Sequence, residues 1–539
     1  MILVDRAKPK SLPNKSHNYQ PTTKNIKTKG TPTMTLRPLR QRGILVLSTV
    51  AAISQCASAF SFTSSALFST TRLPNPPRTL QTKTVLQQSQ LPSTRSSSRL
   101  HYSIDISEEA PRDIPSLEQW ASSYGIQTSD GFQLTAHELD QNGFLDVSAM
   151  TTQDIPAQTP VLYIPNEVIL SSSKAEQEFG HLPCMTQAID RIIANGAQSE
   201  LRQYYLMIKL LVEYEKGAES PWFPYLNSLP RYFSNGPSMT PFCYRCIPSF
   251  LSLLCQKERA NMNHLMVKGI SFLSDETKGN SDLWQWVYQI VYTRSVESDG
   301  SVASGDDGSD SNNSGGGSGD LYLLPMGDMF NHGSAETEVD YAYDDYGNCY
   351  VQTTHDIPAG SPLRRCYGDP TNPSFLFARY GFLDESAPAT FCKLLPTGTT
   401  FRHVNNEMKQ LGYAYNRMLF YKDTGDVSDE VWDILLYLVL GEEDKNNNEQ
   451  MQQQFFQAHM SGDYPTKQWF HEQWYPQTAE KLLNHIEEFL AELDSLEEKV
   501  AYGGKVAVGD HPRLPLILRH NAFVKNTFLT VKSRYFPNE

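Results

Sequence analysis

Residues 321–382 constrain this chain more than any other stretch. They open with an apolar run, residues 321–326, too short for a helix and so read as a buried strand. That strand hands over through Gly327, Asp328, Met329 and Phe330 to a polar Asn331-His332 turn. Residues 341–351, bent at Gly347, read as a hairpin; Asp356-Ile357-Pro358-Ala359-Gly360 is a tight turn, and residues 363–367 are a further strand. Short strands with polar ends make a small β-rich unit whose chemistry sits at the strand termini. Singly, its residues say little: a lone His332 is more often a hydrogen-bonded structural histidine, and Tyr367 or Tyr380 alone is more often a core aromatic. Their joint order is what carries a functional reading.

The chain around this unit has two characters. Of 539 residues, the first 104 hold 15 Lys or Arg against one acid, Asp5, whereas the remainder holds 31 basic against 59 acidic residues. That length calls for two folded domains plus accessory segments. The acidic body argues against nonspecific nucleic-acid binding and is compatible with a basic, lysine-bearing protein substrate. In the leader, residues 43–54 are mostly apolar, follow Arg37, Arg40 and Arg42, and precede Ala57-Ser58-Ala59-Phe60. The run is too short to span a membrane and reads as a signal peptide, with Met34 as the start that would place it correctly. Residues 61–100 are rich in Ser, Thr, Arg and Pro and free of acid, the composition of a transit peptide, so the leader reads as a two-step plastid address of the type found in algae with secondary plastids. An ordinary secretory signal with a Ser-rich tail is the alternative. Eight cysteines without regular spacing do not form a disulfide framework, and Cys243-x-x-Cys246 with Cys255 lacks the further ligands a zinc site needs.

Before the β-rich unit, residues 113–124 and 201–214 carry helical periodicity, the latter stopped by Gly217, and residues 143–150 and 161–164 read as strands. Ser220-Pro221-Trp222-Phe223-Pro224-Tyr225 with Leu229-Pro230 reads as a rigid packed connector. Helices follow over residues 249–267 and 283–292, and residues 297–320 have the Ser, Gly, Asp and Asn content of a disordered loop. After residue 386 the pattern is mainly helical. Leu482, Ile486, Phe489, Leu490, Leu493, Leu496 and Val500 form one apolar stripe with Glu487, Glu488, Glu492, Glu497 and Glu498 opposite, and residues 514–536 form a last helix.

Pro325-Met326-Gly327-Asp328-Met329-Phe330-Asn331-His332, Ile357-Pro358-Ala359-Gly360, Tyr367-Gly368-Asp369 with Asn372, and Tyr380-Gly381-Phe382 stand in an order and spacing that resembles the SET-domain protein methyltransferases. The resemblance is to the branch that includes Rubisco large-subunit lysine methyltransferase, and the Ser220-to-Pro230 connector fits it too. It covers residues 115–382 well and the helical C-terminal part more weakly. It implies an α+β fold: a leader (1–104), a β-rich SET domain (105–385) with a helical insertion at about 175–292, and a helical C-terminal substrate-binding domain (386–539). It also implies S-adenosylmethionine as cofactor, no metal, a monomer, and a protein substrate bearing a target lysine, such as Rubisco large subunit or a sugar-bisphosphate aldolase. By the resemblance Tyr367 is catalytic; Arg294, Asn331, His332 and Leu145 hold the cofactor; and Asp328, Tyr343 and Tyr380 serve the substrate side. Methyl transfer to lysine needs a neutral amine aligned opposite the sulfonium, and a narrow tyrosine-lined channel both orients the amine and disfavours its cation. Two other readings stand beside this one: a protein-histidine methyltransferase, and a non-catalytic interaction module that kept the fold. The second is motivated by Gly143-Phe144-Leu145-Asp146, which carries one glycine where the family has a glycine-rich turn.

Overall fold

The computed structural model describes residues 103–139, 144–298, 319–334, 337–368, 373–390, 410–413, 417–442, 448–503 and 510–538. The leader, most of the acidic loop, and the Asp369 and Asn372 of the motif lie outside the described residues. All described residues fall in one compact unit, residues 80–539.

The chain enters through a helix, Ile114–Ser123, whose first turn is capped by the Asp113 carboxylate accepting from the Ser116 N–H, and which buries Leu117, Trp120 and Ala121. Strands then follow: β1 (Gln127–Thr128), β2 (Phe132–Leu139), β3 (Phe144–Thr151), β4 (Pro160–Ile164) and β5 (Leu170–Ser171). β2 and β3 pair antiparallel from Phe132↔Thr151 to Leu139↔Phe144. The helical insertion runs from Ser172 to Arg294 and includes the Leu201–Lys216 helix, stopped by Gly217 at φ +52°, and the helices Ser249–Leu265 and Ser281–Arg294. After it come β6 (Val296–Glu297), β7 (Leu321–Leu323), β8 (Asn331–His332), β9 (Val339–Tyr343), β10 (Cys349–Thr353) and β11 (Arg364–Arg365).

These strands make small sheets: β1-β4-β10-β9 antiparallel, β5-β7-β6 antiparallel, and a two-residue parallel pair joining β8 to β11. Gly347 turns the β9–β10 hairpin at φ +78°. Two expected strands are shorter than their apolar runs. The run starting at Leu321 leaves the sheet after Leu323, because Met326 takes a left-handed φ of +65° and opens a short turn, Gly327–Met329. Of the run ending at Tyr367, Arg364 and Arg365 pair with β8 while the Leu363 N–H donates to the Ala149 carbonyl at 2.9 Å, and the Asn331-His332 turn is itself a strand.

One hydrophobic core packs the strands against the insertion, with Ile164, Leu206, Trp284, Tyr288, Leu323 and Phe330 all fully buried. A second fills the C-terminal helices, where the expected stripe on the Tyr475–Gly503 helix buries Leu482, Ile486, Phe489, Leu493 and Leu496. Opposite that stripe Glu492 is not simply solvated: it accepts from the Ser249 N–H at 2.9 Å. A third cluster joins the two, with Cys243, Cys246 and Cys255 buried beside Leu514, Leu516 and Ile517 of the last helix, Leu514–Tyr535. Among the described residues no group of His, Cys, Asp or Glu is placed to hold a metal ion, and no helix is long and apolar enough to cross a membrane.

Candidate active site

A narrow cavity of about 20 Å³ opens where the insertion meets the short sheets. The end of the Ser281–Arg294 helix supplies Arg294, the turn after Met326 supplies Gly327, Asp328 and Phe330, β9 supplies Tyr341, β11 supplies Arg365, and Tyr367 and Tyr380 close it.

Its three phenols share one arrangement. Tyr367 donates its hydroxyl to the Phe330 carbonyl at 2.8 Å, Tyr341 donates to the Gly327 carbonyl at 2.6 Å, and Tyr380 donates to the Tyr367 carbonyl at 3.3 Å. With each proton held by main chain, the Tyr367 and Tyr380 oxygens keep lone pairs for a donor entering the cavity, while the Tyr341 oxygen also bonds the Arg365 guanidinium. The rings of Tyr367 and Tyr380 lie 5.0 Å apart, and Arg365 sits 4.5 Å over the Tyr341 ring and 5.9 Å from that of Tyr367. Burial pushes the Tyr367 phenol above its ordinary value, even against Arg294 and Arg365, and pushes Tyr341 up to about 12. Both are therefore neutral near pH 7, positioning groups rather than phenolate bases.

Arg294 spans the cavity floor. Its Nη1 donates to the Asp328 carbonyl at 2.8 Å and lies 3.2 Å from Asp328 Oδ2, which also accepts from the Tyr225 hydroxyl at 3.2 Å. Burial opposes the Arg294 charge, but Asp328 and Asp146 outweigh it and hold the pKa above the usual arginine value. Burial raises the Asp328 carboxyl, with Arg294 only partly offsetting it. Two buried atoms here have no hydrogen-bond partner: Arg294 Nε, a donor, and Asp328 Oδ1, an acceptor. Buried polar atoms are rarely left so, and this pair asks for a ligand carrying both an acceptor and a donor.

The Asn331 and His332 side chains leave β8 in different directions. His332 Nδ1 accepts the Tyr367 N–H at 3.0 Å, which puts the ring proton on Nε2, 2.9 Å from Ser334 Oγ; that hydroxyl in turn donates to Asp384. His332 thus fixes the main chain of Tyr367 from the far side. Asn331 Nδ2 lies 3.4 Å from Asp146 Oδ2, and Asp146 pairs with Arg112 at 2.9 Å. Arg112 also donates to the Ser228 carbonyl at 2.6 Å; burial, reinforced by the nearby Arg294 charge, lowers its pKa to about 10.

Two residues expected at the site lie elsewhere. Tyr343 is two positions beyond Tyr341 on β9 and packs its ring 5.4 Å from that of Tyr322, so it does not line the cavity; Tyr341 does. Leu145 is 60 % exposed although it shares its β3 face with the buried Val147 and Ala149, and its neighbour Asp146 is the residue that meets Asn331 and Arg112. Arg112, Asp146, Tyr225, Tyr341 and Arg365 were not singled out by the sequence. Tyr225 had a signal, since the connector that carries it was visible, but its hydroxyl reaching Asp328 is a tertiary fact.

No family model matches the chain. It is 29 % identical over 190 residues to "SET domain-containing protein 4" of Artemia parthenogenetica, an alignment spanning 34 % of this chain and 45 % of that relative, so the chain spans about half the length of the curated relative it matches. Among solved structures it superposes on Rubisco LSMT bound to AdoMet with a TM-score of 0.51 at 16 % identity, covering 80 % of this chain and 92 % of that one. The SET domain of LSMT bound to lysine and AdoHcy gives a TM-score of 0.50 at 14 % identity, covering 79 % and 91 %.

The chain has the SET-domain fold.

Within that fold, of the type found in Rubisco LSMT and extended by C-terminal helices, the Asp328-to-His332 turn, Tyr367 and Tyr380 come together across the β8–β11 pair, although 35 residues of sequence separate His332 from Tyr367. The SET fold thereby brings Arg294, on the far side of the acidic segment in sequence, into the same cavity.

Proposed function

We propose that the chain is an S-adenosylmethionine-dependent protein-lysine N-methyltransferase. The observation that carries the reading is the cavity itself: three neutral phenols whose hydroxyl protons are all held by carbonyls, beside a buried donor on Arg294 and a buried acceptor on Asp328 that both lack partners. The cofactor's amino-acid end carries a carboxylate and an ammonium, and these two atoms suit it: Arg294 would hold the carboxylate, with Asp328 and Asn331 as nearby acceptors and donors. When bound, S-adenosylmethionine supplies a methyl group on a sulfonium. The Tyr367 and Tyr380 oxygens would accept the N–H bonds of an incoming amine and aim its lone pair, while these rings and that of Tyr341 exclude water. Because the phenols stay protonated, the amine's proton leaves to solvent before transfer and not to Tyr367.

The substrate is read as a folded protein with an accessible lysine, in keeping with the acidic body, and Rubisco large subunit or an aldolase are candidates because the leader reads as a plastid address. A fluorescent fusion of residues 34–100 tests that address; secretion in place of plastid import would overturn it. For the cofactor, calorimetry of the purified body with S-adenosylmethionine decides between the enzyme and a non-catalytic module, which the exposed Leu145 in a glycine-poor hairpin favours. Absence of binding would sink the enzyme reading. Incubation with labelled cofactor and plastid extract, followed by mass spectrometry, identifies the substrate and separates lysine from histidine as the acceptor.

A further inference from the structure

Asp384 lies outside every motif of the sequence and does not line the cavity, yet a run of three hydrogen bonds joins it to Tyr367. It stands two residues beyond Phe382. Its Oδ1 accepts the Ser386 N–H at 2.9 Å and the Ser386 hydroxyl at 2.6 Å, while Oδ2 accepts the Ser334 hydroxyl and lies 3.6 Å from His332 Nε2. Burial opposes the charge, but the donors on His332 and Ser386 outweigh it and hold the carboxyl below its ordinary value, so Asp384 is ionised near pH 7.

An ionised carboxylate only accepts and a main-chain N–H only donates, and these two ends fix the direction of every bond between them. Ser334 gives its proton to Asp384, which leaves Ser334 Oγ as the acceptor for His332 Nε2–H at 2.9 Å. Nδ1 is then bare, and it is the atom that accepts the Tyr367 N–H at 3.0 Å. The Tyr367 hydroxyl is held by the Phe330 carbonyl at 2.8 Å, so the short stretch from Phe330 to His332 grips this residue at both amide and phenol. With the proton on Nδ1 instead, His332 would turn a donor toward the Tyr367 N–H and the amide grip would be lost. Both side chains are sealed from water, 5 % exposed for His332 and 11 % for Asp384, so solvent offers no substitute.

We propose that Asp384 is a positioning residue for methyl transfer: acting through Ser334, it fixes the His332 tautomer that holds Tyr367 in line with the acceptor nitrogen. The inference rests on the acceptor reading given above. It assigns the His332 side chain to Tyr367 and not to the cofactor, so loss of Asp384 should appear in turnover and leave cofactor affinity alone.

The test compares the full native chain with Asp384→Asn and Ser334→Ala, each carrying isotope-labelled histidine and saturated with S-adenosylhomocysteine; the His332 ring signals are those missing from His332→Gln. The native ring should show a bare Nδ1 and a protonated Nε2. Asp384→Asn, whose amide donates as well as accepts, should populate both tautomers, and exchange of the Tyr367 amide should quicken about tenfold. Ser334→Ala should keep the native tautomer, because Asp384 Oδ2 is near enough to take the Nε2 proton directly. In transfer of labelled methyl to plastid extract, Asp384→Asn should be about tenfold slower than the native chain while its S-adenosylmethionine affinity stays within about twofold. That affinity also reports an intact fold, and the native spectrum decides even where Asp384→Asn does not fold. A protonated Nδ1 in the native chain, or a tautomer, an amide exchange and a transfer rate all unmoved by Asp384→Asn, would refute the role of Asp384 and leave the methyltransferase reading standing. If the native chain does not bind S-adenosylhomocysteine, the methyltransferase reading falls and takes this inference with it.

Discussion

Gly381 offers a test of the site that needs no substrate. It stands between Tyr380 and Phe382 at φ +83°, and a Cβ there would meet the Asn235 nitrogen at 2.6 Å and the Ser234 carbonyl carbon at 2.7 Å. Both obstacles are main chain, so no rotamer change relieves them, and the neighbouring segment is pinned: Asn235 donates to the Arg379 carbonyl at 3.1 Å and accepts from Gln289 at 3.0 Å. For Gly381→Ala the left-handed backbone costs about 1–2 kcal/mol, and forcing two backbones apart in a packed interior adds about 1–3 kcal/mol. The sum, about 2–5 kcal/mol, corresponds to a fall in Tm of roughly 2–5 °C in a protein of this size. Gly360→Ala is the control, since it shares a φ of +82° but has open space around the added atom, and it should lose only the backbone part. Differential scanning calorimetry of the two variants isolates the contact contribution. Equal Tm values for Gly381→Ala and Gly360→Ala would show that the Ser234–Asn235 approach does not constrain the end of the Pro373–Tyr380 helix.

Further outcomes follow from other parts of the site and the C-terminal helices. Tyr367→Phe should leave S-adenosylmethionine affinity nearly intact while methyl transfer to the substrate protein falls on the order of 100-fold, as when one preorganised polar contact is lost; unchanged turnover in a single-turnover assay would remove Tyr367 from its role. Arg294→Ala should weaken S-adenosylmethionine binding by about 2–3 kcal/mol in calorimetry, since it deletes a charged donor and strands Asp328; equal affinity would place the cofactor carboxylate elsewhere. Asp433, 1 % exposed, is paired with Lys467 and lies 2.7 Å from His471, and these contacts hold its carboxyl below the ordinary value despite burial. Its contribution is therefore complete above pH 3.8, the unfolded-state value, and is lost as pH falls through the lower folded-state value. Asp433→Asn should cost about 3–5 kcal/mol in urea unfolding at pH 7, with the gap to the native chain narrowing below pH 4; a gap independent of pH would exclude the ion pair as its source.

Much of the fold was legible because periodicity and punctuation are local. The helix stopped by Gly217, the hairpin bent at Gly347 and the buried stripe of the Tyr475–Gly503 helix all follow from residues a few positions apart. What the sequence did not reveal is set by tertiary neighbours. An apolar run predicts a strand but not that Met326 breaks it with a positive φ. Tyr341 and Tyr343 sit on the same face of β9 and look equivalent in sequence, and only the position of the Phe330 and Arg365 side chains decides that Tyr341 lines the cavity. Arg112 lies outside every motif, and its link to Asp146 and Asn331 joins segments far apart in the chain.

The β8–β11 rung is only two residues long on each side and parallel, so everything between Asn331 and Arg364 must be looped out before it can close. Loop-closure entropy makes such a contact late, forming after the hairpins and helices that are local in sequence. Assembly of the site should then be among the last folding events, and partial unfolding that opens this rung would separate Asn331 and His332 from Tyr367 while the helical cores persist. Hydrogen exchange at the Tyr367 amide, held by His332, would report that opening directly, and ligand binding should slow it more than it slows amides in the Leu201–Lys216 helix.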